Sequence, residues 1–382
     1  MRYCTRCLQP DSRPGIFFDE NGVCGACLWQ EEIKEINWDS RIEELRNIAE
    51  NAKLKAKGAY DCVIGVSGGK DSTFQAFYAR DFLNLRVLLV NCEPIEITPI
   101  GRENIENLKN HGFDIISIAP NRHIMKKLMR RDFFKYLNPV KCTEYPLYAS
   151  AYIVADRFNI PLIIQGENAA LTLGVSMLQD VSGSCLNVTQ ANTLKESPFG
   201  EYIEDGVISG KDLYLYNIPL ERICEKEITG VWLNYYAKEW SQPGNAQFSL
   251  GKGLSIFPES VNPYEIGTYR RYSQLDSYLA PPNQVFKYIK FGFGQTTDHV
   301  CYDIREGLIS RDEGLYLVHE LDGRCGRFYF EKLAACLEMD VDDMMAYAEK
   351  FRGPMFAEDG TLPLPLPEGK YNLQDIMRRL RI

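Results

Sequence analysis

Six consecutive residues, Ser67-Gly68-Gly69-Lys70-Asp71-Ser72, follow an apolar run (Cys62, Val63, Ile64, Val66) and lead directly into a helical pattern. Adjacent glycines after a buried strand let the backbone curl until several N–H groups point at one anion. A helix beginning at Asp71 adds its positive dipole end. Ser67 and Ser72 contribute hydroxyl donors, and Asp71 is placed to hold Mg2+ against the phosphates of a nucleotide. The six residues are not the G-x-x-x-x-G-K-[ST] phosphate loop, and the chain carries no G-x-G-x-x-G dinucleotide fingerprint. The plain rival is an ordinary strand–turn–helix connection, which rarely combines all these groups.

A second constellation lies in the first thirty residues. Cys4 and Cys7, then Cys24 and Cys27, repeat the C-x2-C spacing on either side of a segment with Pro14, Gly15 and Gly22. Each pair offers two thiolates from one turn, and two pairs close a tetrahedral Zn2+ site with no open position, so the metal reads as structural. Four structural or surface cysteines without metal, and an iron–sulfur cluster, are the rival readings. A segment this small buries little core, so metal binding is expected to supply most of its folding free energy, on the order of 10 kcal/mol.

The elements that must position these groups are legible in the pattern. A helix over 39–57, capped by Asp39 or Ser40 and stopped at Gly58, precedes the strand "DCVIGV". The strands "LRVLLVNC", "DIISIA" and "PLIIQGE" then alternate with helices over 101–112, 123–137 and 144–159. Short apolar strands alternating with helices imply an α/β fold with a doubly wound parallel sheet, whose ligands sit at the carboxyl ends of the strands. Both "SGGKDS" and "QGEN" fall there. Residues 175–215 are rich in Ser, Gly, Asn and Thr and read as long loops over the site. Beyond about residue 260 the pattern is mostly helical, with a capping box at Ser310–Glu313 and a cap at Asp340. Tyr145, Tyr148 and Tyr152 share one helix face, as a pocket wall or as a core stripe.

Composition bounds the function. The 382 residues carry a net charge of −9, which argues against a sequence-independent grip on nucleic acid. No apolar run reaches the length of a membrane span, and the N-terminus lacks the apolar core of a signal peptide. The expectation is a cytoplasmic protein with no membrane or nucleic-acid partner.

The Ser67–Ser72 loop after a strand resembles the pyrophosphate loop (PP-loop) of the ATP pyrophosphatases, over roughly residues 58 to 240. These enzymes adenylate a carbonyl oxygen and let a nitrogen or sulfur nucleophile displace AMP. Gly166-Glu167-Asn168 matches the family's second phosphate-side loop. It implies Gly166 and Glu167 at the nucleotide, with Glu167 either a Mg2+ ligand or a structural acid. The blocks "CTRC…CGAC", "GVSGGKDST", "EKEITGVWLNYY" and "KYIKFGFGQTTDHVCYDIREGLISRDE" resemble the N-acetyl sugar amidotransferases of bacterial surface-glycan and flagellin-glycan biosynthesis. Many relatives carry Arg where Gln295 stands, so a charge at that position does not carry over.

The resemblance implies a zinc ribbon over 1–30, a helical linker over 31–57, a PP-loop domain of HUP-like type over 58–240, and a mostly helical region over 241–382 that completes the substrate site. ATP, Mg2+ and structural Zn2+ are the implied cofactors. The implied reaction converts an acetamido group of a sugar (a nonulosonic acid, its nucleotide-activated form, or a UDP-linked diacetamido-uronic acid) to an acetamidino group. Ser67, Gly68, Gly69, Lys70, Asp71 and Ser72 would hold the nucleotide, with Asp71 and Lys290 in catalytic roles. A solvated lysine at a helix end is the rival reading of Lys290. No Cys/His/Glu set resembles a glutaminase, so ammonia is expected from a separate glutaminase subunit. His299 reads as a packing or hydrogen-bonding group rather than a catalyst.

A PP-loop tRNA thiolase is the leading alternative. It would need a sulfur-handling cysteine, for which Cys142, Cys185 and Cys224 are the candidates. A reductase of adenylylated sulfate would rely on Cys336. A nucleic-acid-binding zinc protein conflicts with the acidic balance.

Overall fold

The computed structural model describes residues 1–174, 182–188, 194 and 199–380. Five parallel strands form one sheet: β1 (Cys62–Gly65), β2 (Val87–Cys92), β3 (Asp114–Ile118), β4 (Leu162–Gln165) and β5 (Thr229–Trp232), in the order β3-β2-β1-β4-β5. Strand order reverses between β1 and β4, so the crevice at their carboxyl ends is the topological switch point. Side chains alternate across the sheet with the period of two that strands impose. Val63, Leu88, Val90 and Ile163 enter one buried cluster, while Cys62, Ile64, Leu89 and Ile164 enter the other.

Helices cover both faces. Along the chain run α1 (Gly25–Glu32), α2 (Trp38–Ala56), α3 (Lys70–Phe77), α4 (Pro99–Asn110), α5 (Arg122–Tyr136) and α6 (Lys141–Phe158). The cap of α2 is Asn37, whose side chain accepts from the Ser40 amide, rather than Asp39 or Ser40. After β4 come the short α7 (Ala169–Leu173), then α8 (Gln242–Leu250), α9 (Ala280–Phe291), α10 (Gln295–Arg305) and α11 (Arg311–Leu321). The capping box at Ser310 and Glu313 forms as expected, and Asp340 caps Val341–Ala348. No helix of the described residues is long and apolar enough to cross a membrane.

One expectation changes. Part of the 175–215 stretch lies outside the described residues. The described part does not form loops over the site: Cys185, Val188, Leu194, Tyr202 and Leu213 are buried in the core under α5 and α6. Ser184 bridges Val231 of β5, and the Tyr152 hydroxyl donates to the Cys185 carbonyl at 2.7 Å. The cysteine-rich segment packs against the C-terminal region. Its four cysteines share a buried cluster with Tyr269, Val300, Cys301, Leu317 and Leu321 from the C-terminal helices.

Candidate active site

β1 leaves the sheet at Gly65, and the chain reverses through Val66–Gly69 into α3, whose N-cap is Gly69. Gly68 sits at φ +83°, and a Cβ there would lie 2.9 Å from the Gly101 carbonyl oxygen. Only glycine fits such a turn packed against α4. Gly69 is different: its φ is −91°, so its backbone tolerates any residue, and its bare face forms cavity wall. Asn104 of α4 fixes the turn from behind, donating to the Gly68 carbonyl at 2.9 Å. Asn91 at the end of β2 donates to the Val66 carbonyl at 2.8 Å.

The loop opens onto a cavity of about 600 Å3, within the ~300–1,000 Å3 usual for small-molecule sites. Ser67, Gly69, Lys70, Asp71 and Ser72 line it from the turn after β1 and the start of α3, and Gly166 and Glu167 from just beyond β4. A Cβ on Gly166 would stand 2.3 Å from Gln75 Nε2 and 2.9 Å from the Trp240 ring, so any larger residue there displaces these two side chains. The Lys70 ammonium pairs with Asp71 Oδ2 at 2.6 Å, and Asn245 of α8 donates to Asp71 Oδ1 at 2.8 Å. Burial, and after it the Asp71 charge, raises the pKa of Glu167 above its ordinary value. Two carboxylates that repel each other beside a helix N-terminus suit a divalent cation with oxygen ligands.

The opposite wall comes from the C-terminal region: Tyr272 to Asp276, then Asp298, His299, Tyr302 and Arg305 of α10. The 272–276 segment is clamped to the start of α4. The Thr98 amide donates to the Asp276 carbonyl at 3.1 Å, and a Cβ on Gly101 would meet Asp276 Cα at 2.8 Å. A buried ion pair, Arg270 with Asp303, stands behind this wall. Arg270 Nη1 also donates to Gln242 Oε1 at 2.5 Å, and Gln242 Nε2 donates to Glu167 Oε1 at 3.3 Å. The C-terminal region thereby fixes the orientation of Glu167.

Asp298 accepts from Arg13 of the cysteine-rich segment and from Lys287 of α9, the latter at 2.7 Å. Burial would raise its pKa, but these two cations pull it down to about 2. His299 donates to or accepts from the Thr268 hydroxyl at 2.7 Å. Burial and the Arg270 charge hold its pKa well below the ordinary value, so the ring is neutral.

The Sγ atoms of Cys4, Cys7, Cys24 and Cys27 all lie within 4.8 Å of one another and are buried. Cys4–Cys27 and Cys7–Cys24 are separated by 3.8 and 3.7 Å. A tetrahedron with Zn–S bonds of about 2.3 Å has edges of about 3.8 Å, so the donor set fits the ion. Amides of Gln9 and Cys24 point at Cys7 Sγ and Cys4 Sγ at 3.4 and 3.3 Å, the orientation that stabilises thiolate ligands.

The structure thus brings together Ser67 to Ser72, Gly166 and Glu167, but not Lys290. That ammonium lies off the cavity and donates to the Tyr136 carbonyl at 2.9 Å; burial pushes its pKa down to about 8. Of the three tyrosines, Tyr148 lines the cavity while Tyr145 and Tyr152 are buried in the core. Gln242, Asn245, Tyr272–Asp276, Asp298 and Arg305 escaped the sequence reading. The Ser241 cap made α8 findable, but which of its faces meets Asp71 is a tertiary fact. Among the described residues that line the cavity there is no cysteine.

Residues 266–359 match the family described as "LPS biosynthesis protein WbpG-like, C-terminal domain". That span holds most of the cavity wall opposite the loop. No curated protein matches the chain. Among solved structures, the NMN synthetase from Francisella tularensis is similar at 17% identity over 50% of this chain and 96% of that one, with a TM-score of 0.28. The NH3-dependent NAD synthetase from Campylobacter jejuni subsp. jejuni, in complex with nitrate, is similar at 16% identity over 59% of this chain and 100% of that one, also with a TM-score of 0.28. Likeness at that distance carries nothing further about this chain.

Proposed function

We propose that the protein is an ATP-dependent amidotransferase that converts the acetamido group of an N-acetylated sugar to an acetamidino group in bacterial surface-glycan biosynthesis. The observation that carries this reading is the Gly68 turn at the N-terminus of α3, facing across one cavity a wall that belongs to the WbpG-like match.

An amide oxygen is a poor leaving group. In the proposed reaction it attacks the α-phosphorus of ATP, the bond to the β-phosphate oxygen breaks, and pyrophosphate departs. The cationic O-adenylyl imidate then accepts the lone pair of ammonia at carbon. The adduct loses a proton to solvent, and the C–O bond breaks with its electron pair on AMP, leaving an amidinium. The chain's part is positioning and charge complementarity. Backbone amides at the start of α3 and the hydroxyls of Ser67 and Ser72 face the departing pyrophosphate, while Lys70 contributes positive charge on the same wall. Asp71 and Glu167 would hold Mg2+, which neutralises the triphosphate. Ammonia comes from a separate glutaminase subunit in this reading.

The thiolase alternative lacks its sulfur carrier: Cys142 and Cys185 are buried in the core, and Cys224 lies outside the cavity. The test is incubation with ATP, Mg2+, ammonium and a panel of acetamido sugars, following pyrophosphate and product mass together. Sugar-dependent pyrophosphate with one oxygen replaced by NH is the expected result. Neither signal, with iron in the purified protein, would favour the thiolase.

A further inference from the structure

His299 of α10 stands in the cavity wall opposite the turn, and its surroundings hold the ring in one orientation. Nδ1 meets the Thr268 hydroxyl at 2.7 Å, and the Tyr269 ring lies edge-on to the imidazole with centroids 6.3 Å apart. Arg270 Nη2 donates to the His299 carbonyl at 3.3 Å. The Thr268 contact also sets the tautomer. Thr268 Oγ1 accepts from the Arg270 amide at 3.2 Å, and among the described residues its own proton has no acceptor other than His299 Nδ1. A hydroxyl has one proton to give, so Nδ1 accepts it and the proton of the neutral ring sits on Nε2. Nε2 makes no hydrogen bond within the protein, yet it is not sealed in: it is the ring nitrogen open to the cavity.

The cavity therefore meets a neutral N–H donor that is oriented in advance. Burial, then the charges of Arg270, Lys70 and Lys287, oppose a second proton on the ring, against the pull of Asp298. Asp298 is itself engaged by Arg13 and Lys287. A neutral ring suits the chemistry, because an imidazolium would protonate ammonia and remove the lone pair that the second step needs. What a neutral donor requires is an oxygen that carries charge in the transition state. In the proposed reaction the turn takes the pyrophosphate, so the α-phosphorus stands between the turn and the incoming amide oxygen, toward the opposite wall. We propose that His299 Nε2–H donates to a non-bridging oxygen of the α-phosphate and stabilises the charge held there while the amide oxygen attacks. The inference rests on the reading of this cavity as the site of adenylation.

The two diastereomers of ATP with sulfur at one non-bridging α position test this, because sulfur is a poor hydrogen-bond acceptor. With acceptor sugar, Mg2+ and ammonium, the wild type is expected to lose more rate with one diastereomer than with the other. His299→Leu should lose about a hundredfold in kcat with ATP itself, keep its KM for the sugar, and lose nothing further to that sulfur substitution. His299→Gln, which carries an amide N–H near the place of Nε2, should restore most of the rate. Sulfur effects of equal size in the wild type and His299→Leu would overturn the proposal. So would a raised KM for the sugar with kcat retained, which would make His299 a sugar contact. A second measurement needs no turnover: 15N NMR of the histidine-labelled wild type with Mg2+ and α,β-methylene-ATP, the His299 signal being the one absent from His299→Gln. The expected result is a proton on Nε2 in the free protein and a downfield shift of that proton on binding. A proton on Nδ1, or an Nε2–H unmoved by bound nucleotide, would also overturn the proposal. If no acetamido sugar elicits pyrophosphate from the wild type, the amidotransferase reading fails, and the NMR experiment still decides whether His299 meets the nucleotide.

Discussion

Gly68 and Gly69 are neighbours with different reasons to be glycine, and substitution separates them. At Gly68 a methyl group meets both a left-handed φ and the Gly101 carbonyl, so Gly68→Ala is expected to lose about 1–3 kcal/mol of stability. At Gly69 the nearest contact of an added Cβ is Ser67 Oγ at 3.4 Å, so Gly69→Ala should unfold like the wild type while its methyl group blocks the loop and weakens ATP binding. Calorimetric unfolding and ATP titration of the pair check this. Glu167 carries a pH prediction. Its folded pKa is raised, so its ionised form costs stability above that value, and the cost vanishes below the unfolded pKa of about 4.3. Glu167→Gln should therefore raise the Tm of the metal-free protein at pH 7 to 8. Mg2+ should stabilise the wild type and leave the variant unmoved; a lower Tm in Glu167→Gln would remove Glu167 from the metal site.

Between elements, Asp303, Arg270 and Gln242 link α10 to Glu167 through α8. Arg270 and Asp303 are both fully buried, so Asp303→Asn strands a charge and should cost about 3–5 kcal/mol in urea unfolding. Nothing in the sequence announced this pair, because charged residues are by default at the surface. The four strands rich in Val, Ile and Leu were legible, and so were the helices between them, from apolar runs and turn residues. β5 was not. It has four residues and Gly230 in its middle, where a Cβ would stand 2.7 Å from Cys185 Sγ; a glycine that permits close packing reads in sequence as a break. The turn from β1 into α3 was legible because its glycines and polar residues are adjacent in sequence. Lys290 was misplaced because α9 turns a different lysine, Lys287, toward Asp298, and helix rotation about its axis is fixed by packing.

Across the whole molecule, the cysteine-rich segment, the sheet and the C-terminal helices meet around one site. Arg13 reaches Asp298, Gly174 after α7 packs on Gly25 of α1, and Arg305 donates to the Thr172 carbonyl at 2.9 Å. Because the four cysteines share a core with the C-terminal helices, chelation of zinc should lower the Tm of the entire chain rather than melt a module, and should weaken ATP binding with it. Elemental analysis by mass spectrometry is expected to find one zinc per chain and no iron. The claim on which the account turns is that the acetamido oxygen itself attacks ATP. An acceptor sugar labelled with 18O in its acetamido group, incubated with ATP, Mg2+ and ammonium, tests this by the fate of the label. The account predicts 18O in the phosphate of AMP, with pyrophosphate unlabelled. Label in inorganic phosphate alongside ADP, or AMP free of label, would contradict it.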